Sequence, residues 1–361
     1  MRPIEVGILG GTGMVGQHFI RFLQGHPWFK LAWLGASDRS AGKKLKEATA
    51  WRLDAEMPAS AAEMMVSDSK PGNAPRIVFS AMDASVATEI ERAFAQAGHV
   101  VVSNSRNHRM EPDVPLIVPE INPGHLALIH SQQKNRAWKG MIVTNPNCST
   151  IVLTMALAPL ASFGITRVIA ATMQAVSGAG YPGVASMDIL GNVVPFVSGE
   201  EEKMQQETQK ILGGISNGRA LPLNARVSAH CHRVDVVDGH TVSASVELTD
   251  KPSLEDARQA FAAFRGLPQE RHLPSAPSQP VMHLAEQDRP QPRRDVSREK
   301  GMTVFVGRVR DCPVLDLKFV ACGHNTIRGA AGAAVLNAEL LVSEGFLEEE
   351  RTGRLVAAVR G

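Results

Sequence analysis

A short apolar strand that runs into a glycine-rich turn and then a helix limits this chain to few folds. Ile4 to Leu9 reads as a buried strand. Gly10-Gly11-Thr12-Gly13-Met14-Val15-Gly16 follows, and Val15, Phe19, Ile20 and Phe22-Leu23 then recur at helical spacing. Gly10, Gly13 and Gly16 fit G-x-x-G-x-x-G. Glycine permits the tight turn and lets a pyrophosphate approach the backbone N–H groups at the helix start. The same spacing also serves a βα turn with no ligand, so the strand before it and the helix after it carry the nucleotide-binding reading.

The pattern continues. Phe29 to Gly35, Ile77 to Ala81, His99 to Ser103 and Met141 to Thr144 read as strands, with a helical stretch from Ser85 to Gly98. Alternating strands and helices predict a Rossmann-type, doubly wound parallel α/β sheet. After Cys148 the character changes. Arg167 to Gln174, Arg226 to Ala229, His240 to Leu248 and Met302 to Val309 are strand-like, several with alternation, and suit a mixed or antiparallel sheet. Leu273 to Arg294 is rich in Pro, Gln and Ser and reads as a surface excursion or a linker. Small residues in Asn325 to Leu347 allow a helix to approach another element closely. The expected division is a nucleotide-binding domain over 1–147, an α+β catalytic domain over 148–324, and a helix over 325–361 that returns to the first domain.

At 361 residues the chain is long enough for two cores. Its 44% apolar and 20% charged content is that of a globular protein. A net charge of +2 gives no general case for nucleic acid or an acidic membrane surface. The four cysteines are scattered, without a C-x-x-C pair, which fits neither a zinc site nor a disulfide framework and suits a reducing cytosol. The N-terminus lacks a signal-peptide pattern and no apolar run reaches membrane-spanning length, so a cytoplasmic location is expected.

Asn145-Pro146-Asn147-Cys148-Ser149-Thr150 places a cysteine at the start of an apolar, helix-like run from Ile151 to Leu160. A helix N-terminus favours a thiolate, and its N–H groups can hold an oxyanion, so Cys148 is expected to be an activated nucleophile. A buried core cysteine is the plainer alternative. At the end of the second strand, Asp38 argues for a free ribose hydroxyl, whereas Ser37, Arg39 and Ser40 together favour a 2′-phosphate and hence NADP(H). Arg233 and His240 border one strand and its turn, and a histidine there suits proton transfer beside a thiol. Glu200 and Lys203 share a helix face; Arg109 has the planar fork that binds an oxyanion. Each of these also fits a surface ion pair or a structural residue.

Taken in order, the segments GILGGTGMVG, ASDRSAGKK, NSRNHRM, VPLIVPEIN, NPNCST, QAVSGAGYPG, SGEEEKMQQETQKIL, RVDVVDGHT, RPQPRRD, GMTVFVGRVR and HNTIRGAAG span the chain nearly end to end. In that order and spacing they resemble the aspartate-β-semialdehyde dehydrogenases, in particular the fungal and archaeal branch. The resemblance implies that Cys148 forms an acyl-thioester and His240 is the acid/base. It implies that Gln174 positions substrate, Arg233 binds its carboxylate and Glu200 its amino group, and that Arg109 and Lys203 bind phosphate. Gly10, Thr12, Gly13, Met14, Val15, Ser37, Arg39 and Ser40 match the nucleotide site, with Ser80 and Asn325 nearer the nicotinamide. The implied reaction is NADPH-dependent reductive dephosphorylation of L-aspartyl-4-phosphate to L-aspartate 4-semialdehyde, on the route to lysine, threonine and methionine. The implied assembly is a homodimer through the second domain, with a homotetramer as the larger alternative. The chain departs from the family pattern at Asp235 and at His230-Cys231-His232. Rival readings are a reductase of another activated acyl group, such as malonyl-CoA, and a non-catalytic NADP-binding regulator.

Overall fold

The computed structural model describes residues 3–347. Six parallel strands form the first sheet: β1 Ile4–Leu9, β2 Phe29–Ala36, β3 Val66–Asp68, β4 Ile77–Ser80, β5 Val100–Ser103 and β6 Met141–Thr144, in the order β3-β2-β1-β4-β5-β6. β4, β5 and the edge strand β6 are buried throughout, as expected of a parallel sheet covered on both faces. Strand order reverses between β1 and β4, which opens a crevice at the carboxyl ends of the strands. Gly10 leaves β1 with φ +76°, a conformation that favours glycine, and a Cβ there would meet the Ala81 carbonyl oxygen at 2.6 Å.

The second sheet is mixed. Its strands are β7 Ile165–Gln174, β8 Val193–Val194, β11 Arg226–Val234, β12 His240–Leu248, β13 Val281–Leu284, β14 Val304–Asp311 and β15 Leu317–Gly323. They run in the order β13-β14-β15-β12-β7-β11-β8, and a small hairpin, β9 Gly214–Ser216 and β10 Arg219–Leu221, stands apart. β7 is the hinge of the arrangement: it pairs antiparallel with β12 and parallel with β11. Alternation along β12 puts Val242, Ala244, Val246 and Leu248 into the core and leaves Thr241, Ser243, Ser245 and Glu247 on the open face. The Leu273–Arg294 stretch is not a linker. It contributes edge strand β13, paired parallel with β14, and Leu273 is buried in the first core.

Two buried helices tie the halves together. The helix Cys148–Leu157 is almost wholly buried and apolar around its circumference, so it runs through the core and not over its surface. The helix Gly332–Ser343 is buried all round as well, and packs with the core of the first sheet. A wider turn, Ile327–Ala331, precedes it. The remainder of the expected C-terminal segment, 348–361, lies outside the described residues.

Arg328 and Glu120 form an ion pair with both side chains fully buried, at 2.7 and 2.6 Å for its two parallel hydrogen bonds. The pair joins the segment after β15 to the Val114–Asn122 loop. Removing one partner strands the other charge in the core. Glu120→Ala is therefore expected to lower unfolding free energy by about 3–5 kcal/mol in chemical denaturation, against a surface substitution such as Glu89→Ala as control.

Candidate active site

β6 ends at Thr144, and the chain turns through Asn145-Pro146-Asn147 into the Cys148 helix. Asn147 is the N-cap: its Oδ1 accepts from the N–H groups of Ser149 and Thr150 at 3.0 and 3.2 Å. The cap is itself held. Asn147 Nδ2 donates to Glu200 Oε2 at 2.7 Å, and the Asn147 backbone N–H donates to Glu207 Oε2 at 2.7 Å. Both glutamates come from the helix Glu200–Ile211, whose inner face carries Glu200, Glu207 and Lys210 into the protein. Gly329 closes over the nucleophile, since a Cβ there would stand 2.6 Å from the Cys148 Cβ.

His240 opens β12 and is fully buried. Its Nε2 lies 3.1 Å from the Cys148 Sγ. Its Nδ1 accepts the backbone N–H of Ala175 at 3.1 Å. An N–H pointed at Nδ1 requires a lone pair there, so the single proton of the neutral ring sits on Nε2 and faces the sulfur. The Ala175 carbonyl in turn accepts from Arg233 Nη1 at 2.7 Å. The backbone of one residue, through its N–H and its carbonyl, thus orients both side chains. Gly178 leaves room for them, because a Cβ would approach Arg233 Nη1 and His240 Cε1 to 2.9 Å each. Gln174, buried at the end of β7, donates to Thr172 Oγ1 at 3.3 Å.

The electrostatics correct the sequence expectation for the nucleophile. Burial pushes the Cys148 thiol up to about 12, with the Glu200 charge adding to it, against the opposing pull of Arg233, Arg109 and the Ser149 N–H. Burial, Arg233 and His324 push His240 down to about 3. Desolvation outweighs the helix N-terminus. The resting pair is a neutral thiol beside a neutral imidazole.

The Glu200–Ile211 helix also anchors two cations near the Cys148 turn. Arg109 Nη1 donates to Glu207 Oε1 at 2.9 Å and Nη2 to the Asn104 carbonyl at 2.7 Å. Lys203 Nζ donates to Glu200 Oε1 at 2.8 Å. The structure therefore gathers Cys148, His240, Arg233, Glu200, Lys203 and Arg109 around one cleft. Asp235 does not join them: it is exposed, with its carboxylate 3.5 Å from the Gly191 N–H. Of the His230-Cys231-His232 run, Cys231 is buried and touches Met204 Sδ at 3.6 Å, while His230 is exposed. Asn147, Ala175, Gly178 and Glu207 were not singled out in the sequence. Only the N-cap asparagine carried a readable signal, its place directly before the cysteine.

The nucleotide turn sits at the crevice. Gly13 caps the helix Met14–Leu23 without a side-chain bond, so the first N–H groups of that helix are free for an anion. Thr12, Met14 and Val15 are partly exposed around it, and Thr49 Oγ1 donates to the Thr12 carbonyl at 2.8 Å. Ser37 and Arg39 are exposed at the end of β2, with Ser40 half-buried beside them. Ser80, at the end of β4, is buried and its Oγ has no partner among the described residues. These features fit a dinucleotide. Asn325 braces the adjoining turn, accepting from the Gly239 N–H and donating to Ser177 Oγ, both at 2.8 Å.

A neutral thiol generates thiolate in proportion to hydroxide. The rate of Cys148 alkylation by iodoacetamide in the unliganded protein is expected to rise about tenfold per pH unit from pH 7 to 10, without a plateau. A plateau near neutrality would reveal a thiolate–imidazolium pair instead.

Known proteins match this chain over nearly its whole length. Residues 5–129 match the semialdehyde dehydrogenase NAD binding domain, and 157–328 the semialdehyde dehydrogenase dimerisation domain. Aspartate-semialdehyde dehydrogenase of Methanothermobacter thermautotrophicus is 52% identical over 94% of this chain and 99% of its own. That of Schizosaccharomyces pombe is 47% identical over 95% and 99%. The crystal structure of aspartate semialdehyde dehydrogenase with NADP from Candida albicans superposes with a TM-score of 0.90 at 42% identity, covering 96% of this chain and all of that one. The chain belongs to the aspartate-semialdehyde dehydrogenase family.

Proposed function

We propose that the protein reduces L-aspartyl-4-phosphate to L-aspartate 4-semialdehyde, with release of inorganic phosphate, through a thioester on Cys148. The observation that carries this reading is the 3.1 Å contact between Cys148 Sγ and His240 Nε2, with the charges of Arg233 and Arg109 both acting on the thiol.

The Cys148 thiol gives its proton to solvent hydroxide, and the thiolate attacks the acyl carbonyl. The carbon–oxygen bond to phosphate breaks, and phosphate leaves toward Arg109 and Lys203. Arg233 holds the α-carboxylate by its planar fork and Glu200 the amino group, so the acyl carbon stays fixed while its leaving group changes. Bound NADPH supplies the hydride that reduces the thioester. The thiohemiacetal alkoxide on Cys148 then collapses: the carbonyl reforms, the carbon–sulfur bond breaks, and the departing thiolate accepts a hydrogen bond from His240 Nε2–H and regains its proton from solvent. Splitting the transfer through a thioester is what a cysteine nucleophile provides. Gly10, Gly13 and the free N–H groups of the first helix receive the pyrophosphate. Ser37, Arg39 and Ser40 would hold a 2′-phosphate, which supports NADP over NAD.

The open face of β7, β12 and β15 supports a homodimer. It presents Ile169, Ala171, Ser243 and Ser245, and the segment between β7 and the Glu200–Ile211 helix exposes Met187 and Phe196, at 90% and 69%. The four cysteines are unpaired, which suits the cytoplasm.

The test is NADPH formation from aspartate semialdehyde, phosphate and NADP. Turnover is expected to need all three, to prefer NADP to NAD, and to vanish in Cys148→Ala while that variant still folds and binds NADP. Turnover that runs with coenzyme A and not with phosphate would overturn the reading.

A further inference from the structure

Glu207 belongs to no assigned role, yet it is 2% exposed and both its carboxylate oxygens are committed. Oε1 accepts from Arg109 Nη1 at 2.9 Å. Oε2 accepts from the backbone N–H of Asn147 at 2.7 Å. The two partners lie in different loops, one bearing the cation assigned to phosphate, the other immediately preceding the nucleophile. The arginine is fixed further by the Asn104 carbonyl at 2.7 Å, and its own carbonyl accepts from Lys210 Nζ at 2.6 Å. Its Nε is buried and has no partner among the described residues. Nη1 and Nη2 each keep a second hydrogen beyond the bonds named above. The guanidinium is held in place by the protein with donors to spare for an anion.

We propose that Glu207 is a positioning residue for the phosphate step: one carboxylate sets the Arg109 guanidinium and the Asn147–Cys148 turn at a fixed separation, so the leaving group and the nucleophile are registered to each other. The proposal rests on the reading of Arg109 as a phosphate ligand. A purely structural ion pair would stabilise the fold and nothing else. Here the acceptor divides its two oxygens between the phosphate arm and the residue that caps the catalytic helix.

Glu207→Gln keeps the shape but turns an amide NH2 toward one of two donors, so only one contact survives. The experiment uses the full-length enzyme, its Arg109→Ala variant, Glu207→Gln and the double variant, with phosphate, aspartate semialdehyde and NADP each varied in turn. Glu207→Gln is expected to raise the KM for phosphate about tenfold or more, the loss of one charge-assisted contact. The KM values for aspartate semialdehyde and NADP stay close to wild type. In the Arg109→Ala background the same substitution adds nothing to the phosphate KM, because the effect passes through Arg109. Additive effects, an unchanged phosphate KM, or a uniform shift of all constants would overturn the proposal.

Protection of Cys148 from iodoacetamide by inorganic phosphate is measured alongside and needs no turnover. Wild type is expected to be protected and Glu207→Gln not; equal protection in both, or none in wild type, contradicts the proposal. If Glu207→Gln does not fold, Glu207→Asp, which retains the charge but is one methylene too short to span both partners, is expected to give the same selective loss. Wild-type turnover that needs no phosphate strikes the reaction assignment, whereas the protection data still report on Glu207.

Discussion

The site depends on how the chain enters the Cys148–Leu157 helix. That helix is apolar on every side and buried, so water cannot solvate the polar groups at its start. Buried N–H groups without partners cost free energy, and a single cap cannot serve them all. Asn147 Oδ1 takes two, and Glu207 takes the N–H of Asn147 itself. Glu200 then holds the Asn147 side chain in its capping rotamer. Two buried carboxylates demand counter-charges, which Arg109 and Lys203 provide. The requirement to bury one helix end thereby places a ring of charges around the nucleophile.

The same burial sets the chemistry. Taken out of water, Cys148 rests as a thiol and His240 as a neutral ring whose tautomer is dictated by the Ala175 amide. A neutral resting pair is a poor target for adventitious oxidation, since oxidation follows the thiolate. In a site of low polarity, a fixed Nε2–H donor also acts more strongly on developing charge than it would in water. Activation then belongs to the substrate-bound state, where the substrate's own charges alter the balance among Arg233, Glu200 and Arg109.

Much of the fold was legible. Parallel strands such as Val100–Ser103 are continuous apolar runs bounded by turn residues, and the glycine turn after β1 leaves little choice. The second sheet was harder. β15, Leu317–Gly323, runs Phe319-Val320-Ala321-Cys322 without a polar residue and ends on Gly323, so its alternation in sequence is weak. β13 is four residues inside a Pro- and Gln-rich stretch, where composition suggested a linker and only pairing with β14 makes a strand. β11 extends to Val234 because His230 and His232 face outward while Cys231 and Arg233 face in. The site was legible through its motifs but not through its energetics. Cys148 does open a helix, but burial raises its thiol where the helix N-terminus alone would lower it. Glu207 was unreadable: in Glu200–Ile211 it belongs to a polar run that looks solvated, and only the packing of that helix against the Cys148 turn buries it.

In the proposed reaction, carbon–sulfur bond formation on Cys148 links hydride transfer to phosphate. The direct measurement is a single turnover of the enzyme with NADP and aspartate semialdehyde in the absence of phosphate, followed by peptide mass spectrometry. The account predicts one equivalent of NADPH per active site and one aspartyl group on the peptide containing Cys148, released when phosphate is added. A burst without that adduct, or an adduct on another residue, would contradict it.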